Sequence, residues 1–369
     1  MVLLAAAEAG AGSPKARRGL DLPNGVGHGI ISNMEKVITL GHGSGGALTQ
    51  ELIERFFVPA FDNEPLRALT DSALIAAEGK RLAFTTDSYV VKPWQFPGGD
   101  IGKLAVTGTV NDLAVVGARP IFLSVGFILE EGFPLSDLHT VINSLAETAQ
   151  AAGVQIVTGD TKVVERGSGD GIYLNTAGLG VVPKGVNLSA QRVAPGDVVL
   201  VSGPLGEHEI CVLLARGELE FEAEVLSDCA PVQGLVQMLL ENIGEGVKWL
   251  RDPTRGGLAT ALNELARACG YDLLVEEAAV PVQEPVRVLC DLLGYDPLYL
   301  ANEGKIVAVL APQVAEEALA VVREHELGRE AALIGRVLPE TRGRVLLQTG
   351  VGGRRIVDLL AGAQWPRIC

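Results

Sequence analysis

Three aspartates in the first half of the chain stand where a cation could use them. Asp87 ends a strand-like run, "RLAFTTD" (81–87). Asp112 follows Asn111 in "TVNDLAVVGA", a stretch otherwise built of small and apolar residues, and Asp160 ends "VQIVTGD" (154–160). A buried carboxylate costs free energy unless it is paired or bound to a cation. Upstream, "GHGSGG" (41–46) has glycines whose N–H groups can converge on an anion, with a helix start behind them. No Gly-Lys-Ser/Thr follows, so this is not a P-loop, and a turn that only caps a helix would read the same way. Carboxylates at strand ends with an anion-binding turn suit Mg2+ and a polyphosphate. Lys162, two residues past Asp160 on an extended segment, points to the same face and could hold a phosphate or act as a base.

In the second half, "RDPTRGGLATALNELA" (251–266) places Thr254, Arg255 and two glycines at a helix start. It is a second candidate anion-binding turn, with capping by Thr254 as the plainer account. Glu303, in "ANEGK" (301–305), precedes an apolar strand, and His208 stands alone in "LGEHEICVLL". Cys211, Cys229, Cys269 and Cys290 lie in or beside helical segments, where packing explains them. Cys369 is different, because it is the last residue, in "QWPRIC". A thiol at the end of a tail is read as a nucleophile or a carrier, with Arg367 close by and the α-carboxylate raising its pKa.

The elements that must position these groups alternate along the chain. Leu48, Leu52 and Phe56 predict a helix after the glycine turn, closed by Pro59. Strands at 81–87, 121–129, 154–160 and 171–183, with helices over 100–116 and 136–152, make a first domain, 34–190. Strands at 197–203, 271–277, 305–311 and 331–337, with helices near 207–216, 231–242, 256–268, 284–293 and 313–325, make a second, 191–349. The fold class is α/β (α+β) in two domains. Residues 1–33 lack periodicity and are expected to be disordered, with Met34 as an alternative start of translation. Residues 350–369, with glycine pairs and a proline, are expected to form a mobile tail.

The net charge of −15, with no basic run beyond isolated pairs, argues against nucleic acid or an anionic membrane as a main partner. Apolar runs fall short of the roughly eighteen residues of a membrane span. Five cysteines without a CxxC pair favour neither a disulfide framework nor a zinc finger, and a reducing cytoplasm is expected.

Taken together, "FTTDSYVV", "PGGDIGKLAV", "GFILEEG", "VTGDTKVV", "SDCAP", "DPTRGG", "ANEGK" and the terminal "PRIC" resemble the HypE family of hydrogenase maturation proteins. That family belongs to the superfamily of aminoimidazole ribonucleotide synthetase and selenophosphate synthetase. The resemblance runs from Met34 to Cys369, and "PRIC" is absent from the other members of the superfamily. Residues 1–33 have no counterpart, and Glu209 stands where the family usually has glycine after the histidine.

The resemblance implies a fold like aminoimidazole ribonucleotide synthetase, in which N-terminal domains pair about a two-fold axis into a barrel-like sheet, with ATP near the domain junction. It implies that Cys369 receives a carbamoyl group from a HypF-type carbamoyltransferase. ATP-dependent dehydration then gives a thiocyanate, whose cyano group passes to iron on a HypC–HypD complex for a nickel–iron hydrogenase. The ATP contacts expected are Gly43, Ser44, Gly45, Gly46, Asp87, Asn111, Asp160 and Thr161, with Mg2+ at Asp87, Asp112 and Asp160. Lys162, Glu303 and His208 are the candidates for proton transfer. The sixteen residues after Gly353 could extend up to roughly 50 Å. Two rivals remain. An ATP-dependent kinase or ligase for a free small molecule leaves "PRIC" unexplained, and a non-catalytic thiol carrier leaves the aspartates and Lys162 unexplained.

Overall fold

A computed structural model describes residues 38–61, 63–77, 79–217, 223–360, 362 and 367–369, so the expectations for residues 1–33 and for Met34 lie outside the described residues. The first helix, α1 (Ala47–Leu52), widens into a π-turn over Ile53–Phe57 and resumes as α2 (Val58–Phe61), followed by α3 (Glu64–Arg67). Pro59 therefore does not close the helix as expected. The wider turn before it admits a residue that has no N–H to donate.

The first sheet is made by β1 (Ala73–Ala77), β2 (Lys80–Tyr89), β5 (Arg119–Glu130), β6 (Gln155–Val164) and β7 (Ile172–Val182), with a small hairpin of β3 (Gln95–Phe96) and β4 (Gly99–Asp100) between β2 and β5. Its order is β1-β2-β7-β5-β6. Only β5 and β6 run parallel, because α5 (Leu135–Ala151) carries the chain between them as a crossover. Strand alternation turns Ala83, Thr85, Asp87 and Tyr89 of β2 to one face, against α4 (Ile101–Val115). That helix is apolar on nearly every side and is buried along its length. Asp100 caps it, accepting from Gly102 N at 2.7 Å and Lys103 N at 3.1 Å. A side chain at Gly108 would place its Cβ 2.4 Å from the Tyr89 hydroxyl, so glycine there allows α4 to sit directly on β2. The opposite face carries the exposed Phe84 and Phe122, and the sheet is open rather than closed into a barrel.

The second sheet contains β8 (Val198–Val201), β9 (Val247–Arg251), β10 (Leu273–Glu276), β11 (Val307–Leu310), β12 (Ala332–Val337), β13 (Val345–Gln348) and β14 (Arg354–Val357), in the order β14-β13-β10-β12-β8-β11-β9. Its helices are α6 (Glu207–Ala215), α7 (Gln233–Ile243), α8 (Gly257–Cys269), α9 (Glu284–Leu293) and α10 (Ala315–Glu324). Val199, Val201, Val307 and Val309 pack with Leu258, Leu262 and Leu265 of α8. Leu200, Ala308 and Leu310 pack with α7 and α10 through Leu235, Leu239 and Val322. Helices thus cover both faces. The tail expectation needs correction at Arg354–Val357, which pair antiparallel with β13 despite the glycines before them. Leu360 O also accepts from Ala47 N at 3.0 Å, so the reach beyond that contact falls to the nine residues after Leu360, or at most roughly 30 Å.

Thr39–Cys369 form one compact unit. The two sheets are tied together by α4, whose Ala114 and Val115 enter the core beneath α7. Asn111 is the staple. Its Oδ1 accepts from Val232 N at 2.8 Å, and its Nδ2 donates to Glu303 O at 3.2 Å and Ala230 O at 3.3 Å. Expected from the resemblance as an ATP contact, Asn111 has its amide bonded to three backbone groups across the junction. Asn111→Leu leaves these backbone groups unpaired, and chemical denaturation is expected to show a loss of about 1–3 kcal/mol.

Candidate active site

Five segments converge beside the C-terminal end of β2. Asp87, Ser88 and Tyr89 come from β2, Gly108 and Asp112 from α4, and Asp252, Thr254 and Arg255 from the turn between β9 and α8. Glu303 comes from the loop before β11, and Cys369 from the chain end. Alternation and helix periodicity bring the first two sets together: the Tyr89 hydroxyl donates to Asp87 Oδ2 at 3.0 Å, and Thr85 Oγ1 donates to Asp112 Oδ2 at 2.7 Å. Asp71, just before β1, joins from the side, where its Oδ1 lies 2.9 Å from Arg251 Nε.

So many acids in one buried place repel one another. Burial pushes the Asp112 carboxyl well above the usual range, and Asp252, Asp87 and Asp71 push it further. Asp71 and Asp87 are also raised by burial, against the pull of Arg251 and Arg255 respectively. Asp252 rises to about 6, mainly by burial. Glu303 is raised well above its ordinary value by burial, then by Asp228, Asp252 and Asp87. Two oxygens, Asp252 Oδ2 and Glu303 Oε1, are buried without a hydrogen-bond partner. Carboxylate oxygens of Asp71, Asp112 and Asp252 all lie within 4.8 Å of one another. That spacing, with one oxygen unsatisfied, fits a divalent cation bound through oxygens at about 2.0–2.6 Å.

The tail ends inside this site. Cys369 is 8% exposed and Ile368 is 3% exposed. Burial raises the thiol pKa far above its ordinary value, while Arg255 opposes the rise. The thiol read from sequence as exposed is therefore buried, and its burial disfavours the thiolate that a nucleophile needs.

The site candidates divide. Asp87, Asp112, Glu303 and Cys369 share the pocket. His208 lies beside it, with Nε2 3.0 Å from Ile368 O. The expected metal set of Asp87, Asp112 and Asp160 is not brought together within this chain, and the carboxylates close enough to share an ion are those of Asp71, Asp112 and Asp252. Asp160, Thr161 and Lys162 lie on β6, three strands from β2 in the sheet, and Asp160 pairs with Lys162 on the surface of the chain. The 41–46 turn abuts the pocket instead of opening into it: Arg255 Nη1 donates to Gly43 O at 3.0 Å. Around that contact, Ser44 N donates to Gly41 O, Gly45 N to Thr49 Oγ1 and Ala47 N to Leu360 O. Gly46 has room for no side chain, since a Cβ would fall 2.4 Å from Leu360 O. Glu209 is buried, accepts from Ala301 N at 2.7 Å and is pushed to about 7 by burial.

Asp71 and Asp252 were not singled out by sequence. Asp71 sits in a polar turn, and Asp252 in a motif where helix capping was explanation enough. Only the proximity of Asp112 gives them a shared purpose.

Residues 69–182 match the family model for the N-terminal domain of AIR synthase related proteins, and residues 194–348 that for the C-terminal domain. The carbamoyl dehydratase HypE of Cupriavidus necator is 51% identical over 333 residues, covering 90% of this chain and 95% of its own. Among solved structures, a HypE–HypF complex aligns at 49% identity with a TM-score of 0.80, covering 84% of this chain and 99% of that one. HypE in complex with ATP aligns at 48% identity with a TM-score of 0.75, covering 89% and 98%. The chain belongs to the AIR synthase related proteins, and within them to the HypE family.

A carboxyl whose pKa folding raises binds its proton more tightly in the folded chain. It therefore costs stability above the raised value, and the cost fades as pH falls toward the unfolded value. For Asp252 that window runs from about 6 down to 3.8. Without divalent metal, Asp252→Asn is expected to be more stable than the parent at pH 8, by on the order of 1–3 kcal/mol. The gap should close below pH 4, and added Mg2+ or Mn2+ should stabilise only the parent. Thermal denaturation across pH, with and without metal, checks this.

Proposed function

We propose that this chain is an ATP-dependent carbamoyl dehydratase acting on its own C-terminal cysteine. The observation that carries the reading is the burial of the final thiol in a carboxylate-lined pocket beside Glu303, whose Oε1 has no partner. A carbamoyl group on Cys369 Sγ is a thiocarbamate, –S–C(=O)–NH2. Its oxygen is a poor leaving group until it is phosphorylated. Attack of that oxygen on the γ-phosphate releases ADP, with loss of one N–H proton, and leaves an O-phosphorylated imidate. Removal of the second N–H proton and cleavage of the C–O bond expel phosphate and form –S–C≡N. One ATP is consumed and the elements of one water leave the carbamoyl group.

Glu303 would take the proton: its Oε1 is buried without a partner, and a carboxylate whose pKa burial raises is, once ionised, a stronger base than an ordinary one. Arg255, held against Gly43 O, offers positive charge at the chain end. Asp71, Asp112 and Asp252 would hold a divalent cation, which when bound neutralises phosphate charge. Asp87, fixed by Tyr89, faces the same space.

A HypF-type carbamoyltransferase would load the tail, and a HypC–HypD complex would take the cyano group. Homodimerisation is supported by the open edge at β6 and the apolar residues exposed on the first sheet, among them Phe84, Phe122, Ile156 and Val157. In such a dimer Asp160, Thr161 and Lys162 would serve a neighbouring subunit's nucleotide. A simple carrier would have no use for the acid cluster, and a kinase for a free small molecule would find its pocket filled by the tail.

Glu303→Gln is expected to load normally but to lower the rate of dehydration about 100- to 10,000-fold. Phosphate release in single-turnover assays on the carbamoylated chain measures this. Parent-like turnover in Glu303→Gln would remove Glu303 from the mechanism.

A further inference from the structure

The end of the chain is held by side chains, with Arg367 donating to Val90 O at 3.0 Å and Ile368 packed in the core, and by a separate set of main-chain contacts. Arg367 O accepts from Lys92 N at 3.2 Å and from Arg216 Nη2 at 3.0 Å. Ile368 O accepts from His208 Nε2 at 3.0 Å, and Cys369 O from Val90 N at 3.2 Å. The segment just beyond β2 thus supplies one side of the seat, by strand-like addition. His208 and Arg216, on α6 and at its C-cap, supply the other.

The hydrogen bonds around His208 fix its tautomer. A carbonyl oxygen only accepts, so Nε2 carries the proton that meets Ile368 O. Nδ1 is then the acceptor, and it lies 2.8 Å from Ser227 Oγ. Ser227 donates its hydroxyl hydrogen to that nitrogen and accepts from Cys229 N at 3.1 Å. The Phe96 ring packs edge-on at 5.4 Å between centroids, and the imidazole is wholly buried. With the tail seated, both ring nitrogens are committed and no lone pair faces the carried group.

We infer that α6 is a clamp for the carrier tail, in which His208, oriented by Ser227, and Arg216 grip backbone carbonyls and so position Cys369. His208 is then a positioning residue for the proposed dehydration and not a proton-transfer group. The inference rests on that function only for its kinetic readout. Docking itself can be measured whatever the reaction.

The test uses the full chain on a Cys269→Ser background, because the other internal cysteines are buried. Iodoacetamide labelling of Cys369 is followed by intact mass. His208→Leu and Arg216→Leu each remove a grip on a buried carbonyl, and roughly tenfold faster labelling is expected. A single adduct in these variants, with Cys211, Cys229 and Cys290 still protected, reports tail release and not unfolding. His208→Gln keeps an N–H donor near the Nε2 position but cannot transfer protons at neutral pH. It should restore protection, and most of the dehydration rate with it. ATP KM should be unchanged in all three. Labelling of His208→Leu at the parent rate would overturn the clamp. A His208→Gln chain that stays protected yet dehydrates as poorly as His208→Leu would make His208 an acid–base group and overturn the assignment as well. Loss of dehydration activity in the parent chain itself, with the labelling pattern intact, would count against the proposed function alone.

Discussion

Carboxylate repulsion at one buried junction is the constraint around which this molecule is organised. Asp71, Asp87, Asp112, Asp252 and Glu303 belong to five separate stretches of chain, and each is raised in pKa by burial. A fold tolerates such a cluster only with compensating positive charge. Arg251 supplies part of it, spanning Asp71 and Glu264, and Arg255 supplies more beside Asp87 and Cys369. What remains unpaired, Asp252 Oδ2 and Glu303 Oε1, is where a cation and a proton would go. The stapling of α4 to the second sheet through Asn111 keeps these acids within reach of one another.

The position of the terminal thiol divides the chemistry in time. Nucleophilic attack on a carbamoyl donor needs a thiolate, and the seated Cys369 is held strongly as a thiol by its burial. On the proposed function, loading would belong to a tail that has left the pocket, and conversion to one that has returned. Arg367 favours return through an ion pair with Asp170, which Lys92 also meets at 3.1 Å, and through a cation–π contact with the Tyr173 ring at 5.7 Å. These contacts are partly exposed, so they are weak enough to be released.

Much of this was legible in the sequence because it is local. Strand alternation and glycine stops located β2, α4, α5 and α9 closely, and an unexplained terminal cysteine directed attention to Cys369. Other features were hidden because they are products of packing. β14 was masked by neighbouring glycines and exists because β13 offers it an edge. The staple at Asn111 could not be read from its polar place in an apolar helix, because its partners are backbone groups more than a hundred residues away. Asp71 and Asp252 become site residues only when β1, β9 and α4 meet. His208, whose isolation in the sequence suited a surface or helix-cap residue, is wholly buried, and its hydrogen-bond partners, not its type, decide what it can do.

The central claim is that this chain converts a group carried on its own last residue. Its most direct test is the intact mass of the chain after incubation with a HypF-type carbamoyltransferase, carbamoyl phosphate and ATP, beside a Cys369→Ala variant and a nonhydrolysable ATP analogue. The account predicts addition of one carbamoyl group, then loss of one water only with hydrolysable ATP, and neither change in the variant. A carbamoyl group that persists unaltered while ATP is supplied would contradict it.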